Sequence, residues 1–138
     1  MPSNYYHGSA PLATGDGGAG TTHIIVSGFG NPSTIYFFTL SGSITGSFMA
    51  APYLYDIAYD WRNRLIWGGM NSTTVYGFTT TGSLVASLAK PTGNVYGITY
   101  HGQYLWVAGT SGQIYQIHCP NNVGVQPTSM GKIKTIFK

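Results

Sequence analysis

The chain has 138 residues, the length of one domain, and only 7% of them are charged, against about 25% in average soluble proteins. The net charge is +3, and no stripe of cations alternates with stacking aromatic residues, so we expect no nucleic-acid partner. No apolar run is long enough to span a membrane, and residues 1–20 lack a signal-peptide pattern, so we expect no membrane contact. The low charge content is typical of secreted or cell-surface β-proteins, which predicts an extracellular or cell-surface location for the parent protein.

The order of turn residues and apolar runs predicts an all-β chain. Residues 1–22 are rich in Gly, Ser, Ala and Pro, and we interpret them as a flexible leader. No later segment has apolar residues at helical spacing. The expected strands are the short apolar runs between turn residues: 24–29, 34–40 and 43–49, then 54–59, 64–69, 73–79 and 83–89, then 95–100, 104–108 and 113–118.

These strands belong to a repeat of about 40 residues. The sequence IYFFTLSGSI at Ile35–Ile44 returns as VYGFTTTGSL at Val75–Leu84, and YDIAYD at Tyr55–Asp60 returns as YGITYH at Tyr96–His101. Such a period, with four short strands in each repeat, is typical of β-propeller blades. Blades stack face to face, so continuous apolar runs are expected in their middle strands. We therefore place Trp67 and Trp106, which lie in such runs, in the core.

Three blades are expected, at about 23–52, 53–92 and 93–138. The two outer blades lack a strand in the expected register. Gly15–Gly20 stands where the first strand of the first blade should be, and it has no apolar side chain that could pack. Residues 121–123 stand where the last strand of the third blade should be. The alternating tail at 132–137 is a candidate for a displaced closing strand.

Three blades are too few for a closed ring, so the sequence predicts self-association. An arc of three would leave the apolar faces and free strand edges of its outer blades uncovered, and such surfaces normally pair with another chain. Two copies would give a homodimer with a six-bladed ring. The competing interpretation is that the chain is a fragment of a longer propeller.

The third repeat carries a family resemblance. Its sequence VYGITYHGQYLWVAG at Val95–Gly109, followed by QIYQI at Gln113–Ile117, resembles the blades of bacterial extracytoplasmic propellers, including NHL-like and glutaminyl-cyclase-like proteins. The second repeat matches less well, because Arg62-Asn63-Arg64 replaces the glycine turn. The resemblance implies the fold and a secreted parent protein. It leaves the function open, because such repeats serve enzymes and binding modules alike.

The candidate ligand-binding residues are Tyr53, Tyr55, Asp56 and Tyr96. The tyrosines follow the turns that lead into the first strand of a blade, and these turns lie near the axial mouth of a propeller. Aromatic side chains there can stack on sugar rings or on a partner protein. Because ionisable side chains are so scarce, we favour a non-catalytic binding or scaffold module for glycans or a partner protein.

The alternative function is a secreted propeller enzyme of the lyase or cyclase type, with Asp56 as acid or base and His101 assisting. Asp56 and Asp60 are four residues apart on one strand, but Asp60 starts a turn and is better explained as a turn cap. The four histidines show no metal-ligand spacing, so we expect no metal or cofactor. Cys119 is interpreted as a buried thiol, with an intermolecular disulfide or a reactive thiol as alternatives.

Overall fold

The computed structural model describes residues 6–28, 30–51, 53–69, 74–90, 94–110, 112–119 and 133–135, with backbone only for residues 6, 7 and 133–135. The strands are β1 Tyr6–Leu12, β2 His23–Gly28, β3 Ser33–Thr39, β4 Ile44–Ala50, β5 Asp56–Asp60, β6 Leu65–Gly69, β7 Thr74–Thr79, β8 Leu84–Ala89, β9 Val95–His101, β10 Tyr104–Gly109, β11 Ile114–His118 and β12 Ile133–Thr135. They form three antiparallel four-stranded sheets, β1–β4, β5–β8 and β9–β12, each in sequence order. The predicted all-β blade architecture is confirmed, and the three blades form an open arc.

Both outer blades are complete, which corrects the predicted strand count. Strand β1 lies inside the segment interpreted as a leader and pairs with β2 from Leu12↔His23 to Tyr6↔Gly28. The expectation of no strand in residues 1–22 is therefore wrong. This strand is built around small residues, Gly8 and Ala10, because it packs closely against β5. At the other end, β12 pairs with β11 of the same chain, as the displaced closing strand predicted for the tail. Residues 121–123 lie outside the described residues.

The repeated sequences adopt the same local geometry. In the turn between β3 and β4, the Thr39 side chain accepts a hydrogen bond from the Ser43 N–H at 3.0 Å. The Thr79 side chain accepts from the Ser83 N–H at the same distance between β7 and β8. Each turn also holds a glycine at positive φ, 90° at Gly42 and 95° at Gly82, a conformation that glycine adopts without steric cost.

The middle blade is covered on both faces. Its central strand β6 is buried along its whole length. One face packs on blade 1 through Ile57, Ile66 and Phe78. The other face packs on blade 3 through Trp67, Val75 and Leu88. Burial of apolar surface on both sides makes this blade the centre of the molecule's stability.

The pairing register refines the sequence repeat. Trp67 pairs with Ala58, whose counterpart in the next blade is Thr99, and Thr99 pairs with Trp106. Trp106 therefore occupies the place of Trp67, although a fixed offset of about 40 residues aligns Trp67 with Val107. The prediction that both tryptophans lie in the core holds for Trp67, which is fully buried, and is wrong for Trp106, which is only half-buried and belongs to neither cluster of buried residues. Among the described residues, no blade covers Trp106.

Two large sheet surfaces are uncovered by any other described residue. The open face of blade 3 consists of side chains that alternate with the buried ones of β9, β10 and β11: Thr99, Tyr104, Trp106, Ala108, Ile114, Gln116 and His118. The open face of blade 1 is formed by the opposite alternation in β1 to β3: Pro11, Ile24, Val26, Tyr36 and Phe38. The blade 1 face is largely apolar, and the blade 3 face combines apolar and aromatic side chains with polar ones.

Candidate functional site

The innermost strands of the three blades, β1, β5 and β9, line the axis of the arc, with β5 packed between the other two. We call the end at which these strands begin the axial mouth, and the end at which they finish the loop end. The predicted ligand-binding residues lie at the axial mouth, because Tyr53 and Tyr55 directly precede β5 and Tyr96 is the second residue of β9.

The three tyrosines form a continuous aromatic cluster. The ring centroids of Tyr53 and Tyr55 are 5.4 Å apart, and those of Tyr55 and Tyr96 are 5.2 Å apart. Both pairs are tilted, an arrangement that aromatic rings prefer. Tyr96 is 53% exposed, whereas burial raises the pKa of the Tyr53 hydroxyl. The cluster thus combines the exposed ring of Tyr96 with the less exposed rings of Tyr53 and Tyr55. Its residues come from two blades.

Asp56 lies beside this cluster and joins the two blades. Its Oδ1 accepts a hydrogen bond from the Ile57 N–H, and its Oδ2 accepts one from the Ile98 N–H in β9, both at 2.9 Å. Burial raises the pKa of the Asp56 carboxyl, while these two hydrogen bonds oppose the shift. The Oδ2 bond therefore links β5 to β9, whereas the Oδ1 bond is local to β5.

The sequence suggested two pairs of possible catalytic residues, Asp56 with Asp60 and Asp56 with His101, and the structure places these pairs differently. Asp56 and Asp60 lie at opposite ends of β5, about 13 Å apart at the usual strand rise, so they do not form a carboxylate pair. Asp60 caps the turn, as expected: its Oδ1 accepts from the N–H groups of Arg62 and Asn63. Asp56 and His101 both border a shallow cleft of about 570 Å³ on the open face of blade 3. A general acid–base role for Asp56 would have to use a carboxylate that already accepts one backbone hydrogen bond on each oxygen.

The loop end contains a contact between blades that sequence reasoning missed. The segment 13–22 connects β1 to β2 and reaches across the other two blades through Asp16. The Asp16 Oδ1 accepts from the Trp61 Nε1–H at 2.7 Å and from the Gly102 N–H at 3.0 Å. A cavity of about 140 Å³ lies between this loop and the innermost strands. The only signal in the sequence was a lone acid in a glycine-rich segment, which does not reveal its distant partners.

Three further observations concern the thiol of Cys119, possible metal-binding clusters and possible membrane-spanning helices. Cys119 is fully buried, and burial raises the pKa of its thiol far above the usual range, as expected for an inert core thiol. Within the described ranges, no three His, Cys, Asp or Glu side chains lie close enough together to bind a metal ion. The same part of the chain contains no helix of the length and apolarity needed to cross a membrane.

Comparisons with solved structures support this architecture. The chain matches the WD40 β-propeller domain of Doa1 with a TM-score of 0.59 and 12% identity, over 88% of this chain and 43% of that chain. It also matches the β-propeller domain of Cps50 (Swd1) from Myceliophteria thermophila, with a TM-score of 0.60 and 10% identity, over 98% of this chain and 40% of that one. The chain has the β-propeller blade fold.

A third match is to a chain of ctPRC2 in complex with H3K27me3 and H3K27M, with a TM-score of 0.63 and 13% identity, over 93% of this chain and 28% of that chain. This chain thus spans less than half the length of each of these three matched chains. The sequence matches no protein-family model and no curated protein. The resemblance to NHL-like and glutaminyl-cyclase-like blades stays a prediction, because identities this low bear on the fold alone.

Proposed function

We propose that the protein is a non-catalytic binding module that closes a six-bladed ring by pairing with a second copy of itself. The observation that carries this proposal is the composition of the two open faces. The side chains on each open face stand at positions whose counterparts in blade 2 pack against a neighbouring blade. Because the outer blades have their own first and last strands, the association uses sheet faces and not free strand edges.

The equivalence is closest at the aromatic positions. Trp106 on the open face of blade 3 has the place of Trp67, which blade 3 covers completely. On the open face of blade 1, Tyr36 and Phe38 have the places of Tyr76 and Phe78 of blade 2, which pack against blade 1. The open face of blade 3 in one copy is therefore suited to the open face of blade 1 in the next. Large apolar surfaces of this kind mark interfaces.

Sedimentation of the purified chain at micromolar concentration tests the ring. We expect a closed species of twice the 14.8 kDa chain mass. The variant Trp106→Glu should be monomeric, because it places a charge in the interface, whereas Ser83→Glu in the exposed β7–β8 turn of the middle blade adds the same charge elsewhere and should remain dimeric. A folded wild-type monomer would contradict the proposal. Such a monomer is the result expected if the open faces instead pack against further blades of a longer chain.

The ligand surface of this module is proposed to be the aromatic cluster at the axial mouth, with a glycan or a partner protein as its ligand. The exposed Tyr96 ring next to Tyr55 supports this, since aromatic faces stack on sugars and on apolar protein surfaces. Binding to immobilised glycans should fall about tenfold in Tyr96→Ala, an amount equivalent to roughly 1.4 kcal/mol. Leu84→Ala, an equally exposed apolar side chain on β8 of the middle blade, away from the cluster and from both open faces, is the control. Equal binding by both variants would exclude the mouth as the glycan site.

A further inference from the structure

The seam between blades 1 and 2 forms a groove at the loop end, which we call the seam groove. Its two adjoining parts enclose about 950 and 360 Å³ and share Leu12 and Thr80. The larger part contains Arg62, Arg64 and Asn63, and the smaller part contains Phe37 and Phe48. The groove is thus basic at one end and apolar at the other, and it lies away from the axial mouth.

The basic end offers two guanidinium groups to an outside ligand. Both arginine side chains are exposed, and neither lies within ion-pair distance of a carboxylate in the part of the chain that the structure describes. The three side-chain carboxylates have other hydrogen bonds: Asp16 to Trp61, Asp56 to β9, and Asp60 to its own turn. The Arg62 charge also acts on the Asp16 carboxylate, but without a direct ion pair among the described residues. The Arg62 guanidinium lies 5.3 Å from the centre of the Trp61 ring, a cation–π contact that holds it beside the groove.

Arg64 occupies a backbone position that suits glycine. Its φ is 56°, and no other described non-glycine residue has a positive φ. The shorter β9–β10 turn of blade 3 has its positive φ, 66°, at a glycine, Gly102. Residues other than Gly, Asn and Asp seldom adopt this left-handed conformation. A long cationic side chain is held there despite the strain, and such strain clusters at functional sites.

The apolar end continues directly from the basic end. The Phe37 and Phe48 rings are 6.0 Å apart, and both are only half-buried. Phe48 also packs against Phe78 of blade 2, with ring centroids 6.2 Å apart, so the floor of this end is fixed by both blades. An apolar side chain bound here would lie next to a carboxylate bound at the arginines.

We propose that the seam groove binds an acidic segment of a partner protein, in which carboxylates pair with Arg62 and Arg64 and a neighbouring apolar side chain packs on Phe37 and Phe48. Charge complementarity selects this ligand, because the groove carries two cations and an apolar floor and no free carboxylate among the described residues. The site is formed by one chain. It therefore does not depend on ring closure or on the aromatic cluster, and its test is independent of both.

The test uses a fluorescein-labelled peptide, Glu-Glu-Leu-Phe-Glu, whose binding is followed by fluorescence anisotropy at several salt concentrations. We expect saturable binding that weakens with salt and falls at least tenfold in Arg62→Gln and in Arg64→Gly. The control Lys134→Gln removes one charge on β12, away from the groove, and should bind as the wild type does. A peptide with Ala in place of Leu and Phe should also bind more weakly.

Arg64→Gly separates binding from folding. Glycine relieves the positive φ, so the urea midpoint should stay the same or rise while peptide binding is lost. Unchanged binding in both arginine variants, or equal losses in Lys134→Gln, would overturn the proposal. Binding of a heparin oligosaccharide but not of the peptide would also overturn it, in favour of a sulfated glycan.

Discussion

At the residue scale, Asp60 is the buried charge on which the middle blade depends. It is fully buried, and its Oδ2 accepts from the Asn63 side chain at 2.7 Å and from the Trp67 indole at 3.3 Å. Asp60→Ala should lower the free energy of unfolding by about 3 kcal/mol, because the donors lose their common acceptor inside the core. Asp60→Asn keeps one oxygen and should lose less. Urea denaturation measures both, and equal stability of Asp60→Ala and wild type would contradict this role.

Asp16 gives the protein a stability that depends on pH. The hydrogen bond from Trp61, followed by that from Gly102, lowers the pKa of its carboxyl below the usual value, which is about 3.9 in an unfolded chain. The charged form is therefore favoured by folding, and its contribution is present above the unfolded pKa and lost as the pH falls through the folded one.

The expected result concerns Asp16→Asn, compared with wild type by urea denaturation at several pH values. The variant should be less stable at pH 7 and at pH 5, and the difference should close as the pH falls below about 4. Burial raises the pKa of the Asp56 carboxyl, so its contribution to stability changes with pH in the opposite direction. This contribution is the same in both proteins and cancels in the comparison. A difference that persists unchanged at pH 3 would show that the Asp16 charge is not its source.

At the scale of the element, the innermost strands require a small residue in β1. A Cβ on Gly8 would lie 2.7 Å from the Asp56 Cα and 2.9 Å from the Ile57 N, both backbone atoms. Gly8→Ala should therefore cost about 2 kcal/mol of stability, because β1 must move away from β5. Gly97 has the same place in β9, where a Cβ would meet only the Ala108 side chain at 3.8 Å. Gly97→Ala is thus the control and should be tolerated in dilute protein, as measured by thermal unfolding.

Strands β6 and β10 allow the same substitution to be compared in a covered and an uncovered blade. Trp67→Ala should cost about 4 kcal/mol, because it leaves a cavity between blades 2 and 3. Trp106→Ala in dilute, monomeric protein should cost about 1 kcal/mol, since its ring is only partly buried. Its larger effect should be weaker self-association in sedimentation. Equal losses of stability in the two variants would show that the Trp106 ring is already covered in the single chain.

The sequence was sufficient for most strands, because period-two alternation and turn residues repeat from blade to blade. It was not sufficient for β1, where glycine, alanine and proline replace the apolar side chains by which strands are recognised. The clustering of Tyr53, Tyr55 and Tyr96 followed from the repeat. The positions of Asp16 and of the seam groove did not, because they depend on contacts between blades. The turn after β5 is longer than the turn after β9, so a fixed offset of about 40 residues aligned Trp67 with Val107 instead of Trp106.

At the scale of the whole molecule, each sheet contains four consecutive strands, and within the described residues no blade takes a strand from elsewhere in the chain. The blades therefore resemble stacked repeats, in which each unit is stabilised mainly by its neighbours. Blade 2 has a neighbour on both faces, whereas blades 1 and 3 each have one inside the chain. The free energy of unfolding should consequently be unevenly distributed along the chain.

This arrangement sets an order in which the native protein opens. A terminal blade can undock and lose its strands while the other two remain packed, but blade 2 cannot open without exposing both clusters of buried side chains. Amide hydrogen exchange followed by mass spectrometry should therefore show the slowest exchange in β6, with faster exchange in β3 and β10. Pairing of two chains should slow exchange in the terminal blades most, so that protection becomes nearly uniform around the ring. Uniform protection in the isolated chain would mean that the three blades open as a single cooperative unit.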